Sequence, residues 1–324
     1  MNKKWVVIIV SSSLLIFVAS LFIGPTPTIP FRLNKIAIEI IMDVRLPRIL
    51  VSILVGAALG SSGAILQSML RNPLADPYIL GISSGSALLA AGSLLLCGFF
   101  SFGLLTLPAL AFTGAIGAGI AVGIFGQKKG VLMPGRLLLA GVGLGFLFSA
   151  VLMLAMSLSQ AEGLQRATFW LFGDLSMADW PLIPYGFAII LTGLGISMWR
   201  AKALNALMLG DEVAYSIGFS PSKERWILFL SVGFMTASSV SLGGVIGFIG
   251  LLVPHIVRSF VGSDNRIVVP MSAIAGGAFL CAADTIGRTI VAPNEIPAGI
   301  ITAIIGAPYF LYLLKRKDTL GSGI

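Results

Sequence analysis

Residues 226–257 read WILFLSVGFMTASSVSLGGVIGFIGLLVPHIV, 32 positions with no Lys, Arg, Asp or Glu and with the only histidine of the chain, His255. As one helix at 1.5 Å per residue this stretch would reach about 48 Å, against a hydrocarbon core of ~30 Å. It is too long for one crossing and too apolar to leave lipid, so it is expected to cross twice. The fold-back belongs near Ser241 to Gly244, where paired glycines suit a turn. Composition agrees with a polytopic membrane protein, since 57% of residues are hydrophobic and only 10% are charged, where soluble domains carry roughly a quarter. A net charge of +8 would suit nucleic acid in a soluble chain. Here the basic residues sit at the ends of apolar runs and form no aromatic-interleaved stripe, which excludes nucleic acid as a partner.

Working outward from that stretch, the apolar runs predict an all-α membrane protein of about ten spans, a single transmembrane domain over residues 1–324. The first covers Trp5 to Ile23; its core is longer than a signal-peptide core, so it reads as an uncleaved span. An outer segment, Pro25 to Arg45, leads to a second span from Pro47 to Met69. Its small residues Gly56, Ala57, Ala58, Gly60, Ser61, Ser62 and Gly63 allow close helix approach and predict a central helix. Spans three to six follow near Tyr78 to Cys97, Leu107 to Gly126, Arg136 to Ser157 and Leu182 to Met198. An outer loop with Glu162, Arg166, Asp174 and Asp179 lies between the fifth and sixth. Val268 to Ile286 and Ala298 to Leu314 complete the set. In this layout fifteen of the 21 basic residues fall on one side, which the positive-inside rule makes cytoplasmic, together with both termini.

Cys97 and Cys281 lie inside apolar runs and read as small buried hydrophobes, with no metal-ligand spacing. Arg45, Arg48 and Arg288 are exceptions to the charge rule because they fall at outer span ends. They either pair locally, as Asp284 can with Arg288 at i, i+4, or receive acidic residues of an extracytoplasmic partner. No Gly-x-x-x-x-Gly-Lys-Ser/Thr phosphate loop is present, and no acidic residue lies at the middle of a span. A carrier driven by an ion gradient keeps such groups at the midplane, so energy is expected to arrive from another subunit.

The place for that subunit is the polar interruption from 199 to 225, WRAKALNALMLGDEVAYSIGFSPSKER, bracketed by Arg200, Lys202, Lys223 and Arg225. Within it Glu212, Ala214 and Gly218 reproduce the Glu-x-Ala, three residues, Gly pattern of the coupling motif in ABC importer permeases. Further matches run in order along nearly the whole chain: Arg45-Leu46-Pro47-Arg48, the small-residue helix to Gln67, Arg71-Asn72-Pro73-Leu74-Ala75-Asp76-Pro77, Leu80-Gly81-Ile82-Ser83-Ser84-Gly85, Gly247 to His255, and Glu295-Ile296-Pro297-Ala298-Gly299 through Gly306-Ala307-Pro308. On these residues the chain resembles the FecCD family of permeases for ferric siderophores, haem and vitamin B12.

The resemblance implies a vitamin B12 importer permease-like fold and a homodimer served by two cytoplasmic ABC ATPases and an extracytoplasmic substrate-binding protein. This chain would bind no cofactor or metal and carry no catalytic residue, with ATP and Mg on the partner ATPase. A coupling helix over about Ala206 to Phe219 would rest in an ATPase cleft, with Leu207, Gly210, Asp211, Glu212, Ala214 and Gly218 as its site residues. Arg45, Arg48 and Arg288 would meet glutamates of the binding protein. Spans five and ten would line the pathway, which nominates Gly145, Ser149, Met153, Gly299 and Thr302. The cargo would be an iron chelate, haem or a corrinoid.

Two rivals from other classes come from the same residues. Gly81-x-Ser83-x-Gly85 fits the Gly-x-Ser-x-Gly nucleophile pattern, with His255 as base, and would make an intramembrane serine hydrolase. That motif needs a strand–turn–helix elbow, whereas here it starts a span. A secondary carrier is the other rival, distinguished by uptake that persists without ATP.

Overall fold

The computed structural model describes residues 3–25, 35–78, 80–95 and 105–321, all but a short hairpin being helix, turn or loop. Arg32 and Cys97 lie outside the described residues. After α1 (Lys3–Phe22), one helical rod runs from α2 (Lys35–Glu39) through a π turn (Ile40–Arg45) into α3 (Leu46–Met69). The second span therefore begins well before Pro47, inside the stretch expected to be an outer segment. Pro47 has no N–H to offer the preceding turn, and the wider π turn accommodates it without ending the helix.

Next come α4 (Ile82–Leu95), α5 (Thr106–Gly126) and α6 (Pro134–Ser157). A hairpin of β1 (Gln127–Lys128) and β2 (Val131–Leu132) joins the last two. Its tip, Lys129 and Gly130, has φ of 51° and 81°, the paired positive values that a two-residue hairpin turn requires. Beyond it lies α7 (Ala161–Leu171), then a 3₁₀ turn (Trp180–Leu182) opening α8 (Ile183–Trp199). The remaining helices are α9 (Ala201–Leu209), α10 (Asp211–Ser216), α11 (Pro221–Gly243), α12 (Ile249–Val261), α13 (Asn265–Gly287) and α14 (Ala298–Gly321).

Seven helical segments among the described residues are long and apolar enough to cross a membrane, and three further apolar helices, Ile82–Leu95, Ile249–Val261 and Ala298–Tyr312, are shorter. Together they occupy the ten expected positions. The fold-back expected within 226–257 is borne out: α11 ends at Gly243 and the chain returns through α12 to the end at which α11 began, although α12 has only 13 residues, about 20 Å. The chain breaks at Gly244 (φ 69°) and stays irregular to Phe248, itself left-handed at φ 69°. The irregular residues and the glycine end at Gly262 (φ 86°) shorten the helical part of this returning segment. Helix α7 was missed by the sequence reading, which placed only a loop there. It is amphipathic, burying Gly163 and Ala167 while Glu162 and Arg166 pair in solvent at 2.6 Å.

Central placement of α3 is borne out, since nearly every residue from Pro47 to Met69 is buried. Its glycine face explains how: a Cβ on Gly56 would come within 2.2 Å of the Gly276 carbonyl oxygen, and one on Gly63 within 1.9 Å of that of Gly250. Helices α13 and α12 thus meet α3 backbone to backbone, a contact that supplies dispersion where lipid removes the hydrophobic drive.

Loops assigned to one side by charge also meet in space. Arg71 reaches Asp211, Asn205 reaches Asp264, and Ser222 reaches Gly130. At the opposite end Arg45 reaches Leu21, Arg48 reaches Asp284 and Glu295, and Trp180 reaches Met42.

Candidate functional site

At the first of these ends α9 and α10 form a bent pair projecting between two long helices. Gly210 makes the bend with φ 126° and Gly218 ends the second helix with φ 90°, conformations that a side chain would strain. Ala201, Ala203, Leu204, Ala206 and Leu207 anchor α9, and Ala214, fully buried, anchors α10. The opposite face is apolar and open: Leu209 is 72% exposed, Tyr215 76%, and Val213 and Ile217 are also exposed. Outside the span limits lipid does not cover such a ridge, and a contiguous exposed apolar patch marks a protein contact.

Asp211 opens α10 but turns inward. Its carboxylate takes two hydrogen bonds from Arg225, one of them Nη1 to Oδ2 at 2.8 Å, and lies 3.5 Å from Arg71. The bonded Arg225 guanidinium holds the Asp211 carboxyl below the usual carboxylate range, against the opposing effect of partial burial. Asn205 ties α9 to the start of α13, donating to Asp264 at 2.7 Å and accepting from the Asn265 backbone N–H at 2.9 Å. Asp264 too is held low, chiefly by its hydrogen bonds from Arg266. The expected site residues therefore divide. Leu207, Ala214 and Asp211 hold the pair to the bundle, Gly210 bends it, and Glu212 and Gly218 face outward. Sequence reading missed Arg225 as the partner of Asp211; a separation of 14 residues across two turns hides such a pair.

The outer arginines are internal. Arg48 bonds Asp284 at 2.8 Å and Glu295 at 2.7 Å, and Asp284 is 2% exposed. Arg288, also buried, donates to the Ser20 carbonyl at 2.7 Å and lies 3.8 Å from Asp284. Arg45, likewise buried, donates to the Leu21 carbonyl at 2.9 Å. Within the chain the three guanidinium groups therefore take local partners. The network ties α1, α3 and α13 together at that end.

Beside the break between α11 and α12 lies a cavity of about 540 Å³, walled by Ser83, Ser84 and Ala87 of α4, Gly145 and Ser149 of α6, and Val245 and Gly247 of the break. Irregular backbone at membrane depth occurs where it lines a cavity or is covered by protein. Tyr78 fixes this break, its hydroxyl oxygen accepting from the Ile246 N–H at 2.8 Å. Of the expected pathway residues, Gly145 and Ser149 reach this wall and Met153 lies on the exposed face of α6. Thr302 and Gly299 do not line the cavity. Thr302 is fully buried with its hydroxyl on the Gly299 carbonyl, and Gly299 packs against the Phe172 backbone, where a Cβ would meet the carbonyl at 2.2 Å. Ser83 faces this cavity while His255 lines a different one. The two do not form a nucleophile–base pair, which removes the geometric basis of the hydrolase reading.

Comparison with known proteins agrees with this geometry. The profile of the FecCD transport family matches residues 7–316. The cobalamin import system permease of Halobacterium salinarum is 39% identical, over 92% of this chain and 79% of its own length. The iron(3+)-hydroxamate import system permease of Bacillus subtilis is 35% identical over 98% of both chains. The hemin transport system permease of Yersinia pestis is 38% identical over 87% of this chain and 85% of its own. A solved ABC transporter described as of metal-chelate type, in an inward-facing conformation, superposes with a TM-score of 0.88 at 31% identity, covering 97% of this chain and 99% of that one. By sequence and by fold the chain belongs to the FecCD transport family, as a multi-pass permease of an ABC importer in the cytoplasmic membrane.

Proposed function

We propose that this permease carries an iron chelate, haem or a corrinoid inward from a substrate-binding protein, driven by ATP hydrolysis on two partner ABC subunits, and that it works as a homodimer. The observation that carries the reading is the open apolar ridge of Leu209, Val213, Tyr215 and Ile217 on the bent α9–α10 pair, set at the end of the bundle that the charge pattern makes cytoplasmic. Glu212 and Gly218 stand beside this ridge, where an ATPase cleft would close over them. Closure of the two ATPases would move α9 and α10 as one body. The ion pair of Asp211 with Arg225 passes that movement to α11, and through the break at Gly244 to the cavity wall.

The cavity suits a bulky, hydrated cargo in transit. Its polar side chains are the hydroxyls of Ser83, Ser84, Ser149 and Tyr78, with no charged group lining it among the described residues, so none of these holds a chelate by an ion pair. The iron-hydroxamate, hemin and cobalamin relatives support this cargo class. Spans α6 and α14 would face the second copy, and the three outer arginines would brace the face on which the binding protein seats. Uptake of labelled ferric siderophore, haemin and cobalamin by cells with and without the gene tests the reading. The expected result is one cargo whose uptake stops on ATP depletion and survives collapse of the ion gradient. Uptake that follows the gradient and ignores ATP would instead establish the secondary carrier.

A further inference from the structure

A second cavity, of about 310 Å³, opens where α3 and α12 leave the membrane beside the coupling pair. Gln67 and Ser68 at the end of α3, Arg71 in the following turn, Met208 of α9, and His255 and Arg258 of α12 line it, and among the described residues no acidic side chain does. Arg258 is half committed. Its Nη2 donates to the Ala64 carbonyl at 3.1 Å and to the Ser68 hydroxyl at 2.6 Å, while its Nη1 is buried with no hydrogen-bond partner among the described residues. A buried guanidinium nitrogen without an acceptor is costly, and the cost is removed by an anion. Arg71 stands on the same cavity in a left-handed conformation, φ 52°, which a residue with a side chain adopts at some strain. Its neighbouring carboxylate, Asp211, is already engaged by Arg225. Asp211 is thus shared between Arg71 and the more closely bonded Arg225, and the other nearby acid, Asp264, is paired with Arg266.

We propose that this pocket binds a phosphate group, carried by an anionic phospholipid headgroup or by free phosphate, between Arg258 and Arg71. Basic pockets between spans at the cytoplasmic level recognise such headgroups. Bound there, the phosphate links α12, the turn after α3 and the coupling pair. The site is independent of cargo and of ATP hydrolysis, so its test reads binding and not transport.

The full chain, purified from its native membrane with the partners that accompany it, is mixed with phosphatidylglycerol or phosphatidylcholine, and retained lipid is counted by native mass spectrometry. A parallel arm titrates inorganic phosphate. Arg258→Gln removes the buried donor, and Arg71→Gln, on a half-exposed turn residue, guards against a folding defect in the first variant. Preferential retention of phosphatidylglycerol, weakened about fivefold by each variant, supports the site with lipid as the source. Absence of lipid preference with phosphate binding weakened by both variants supports it with free phosphate as the source. Equal retention of phosphatidylglycerol and equal phosphate binding in wild type and Arg71→Gln overturn it.

Discussion

Arg225, buried at the start of the membrane helix α11, holds Asp211, the first residue of the exposed helix α10, through paired hydrogen bonds. The link joins the segment that a partner would grip to the helix that ends at the cavity break. In the proposed function it is the point at which movement of the partner would enter the bundle.

Asp211→Ala should lower stability by about 1–2 kcal/mol, less than the loss of a fully buried pair because roughly half of the Asp211 side chain is in solvent. Thermal unfolding in detergent measures this, and Arg225→Met in the Asp211→Ala background should recover part of the loss. The pH dependence has a definite sign. The folded-state pKa of Asp211 is depressed, so its stabilisation is fully present above the ordinary carboxylate value of about 4 and is lost as pH falls through the lower folded value. A wild-type unfolding curve whose acid limb is unchanged in Asp211→Asn would contradict the assignment.

Arg48→Met should cost about 3–5 kcal/mol or abolish accumulation in the membrane, since it leaves the Asp284 carboxylate buried with only the more distant Arg288 at 3.8 Å. Arg48→Met combined with Asp284→Leu should restore much of that loss. Expression and thermal stability of the two variants, compared side by side, decide the point. Normal stability of the single variant would contradict a stabilising role for the buried pair.

At the α3–α12 crossing, Gly63→Ala should destabilise by more than the ~1–3 kcal/mol of ordinary overpacking. The added carbon would lie 1.9 Å from the Gly250 carbonyl oxygen, a backbone atom that cannot rotate away. Gly117→Ala, where a Cβ meets nothing within 4 Å, is the control and should be neutral. Similar melting temperatures for the two would contradict the close approach.

Asp76 sits in the turn before α4 with one carboxylate oxygen on the Tyr78 N–H at 2.8 Å and the other buried without a partner. Burial pushes its pKa up to about 6. With a raised folded pKa, its contribution to stability is fully present below about 4 and is lost as pH rises through about 6. Asp76→Asn, which keeps the acceptor for Tyr78, should flatten that dependence and raise the neutral-pH melting temperature. An unchanged profile between pH 4 and 7 would sink the prediction.

Most of the architecture could be read from the sequence because lipid imposes a simple rule: apolar runs of sufficient length become spans, and Lys and Arg mark their sides. The glycines of α3 were legible as a packing face for the same reason. What escaped was set by contacts distant in sequence. Whether Arg48 is exposed depends on Asp284, 236 residues away, and no local pattern carries that information. The fold-back into α12 was legible from the length of the apolar run, but not how short α12 is, because the irregular residues 244–248 are as apolar as the helices on either side. Helix α7 was hidden by its polar face. Within the coupling segment, residue types suggested a site, but which of them anchor and which face outward depended on the bend at Gly210.

The most direct test of the central claim, that the exposed face of α10 is gripped by an ATPase, is co-purification of the tagged chain from its native membrane, wild type against Glu212→Lys with Tyr215→Ala. These side chains are exposed, so the variant should fold and reach the membrane in normal amount. The account predicts that an ABC ATPase accompanies the wild type and is lost, or remains bound without driving uptake, in the variant. Undiminished ATPase recovery with full ATP-driven uptake in the variant would contradict it.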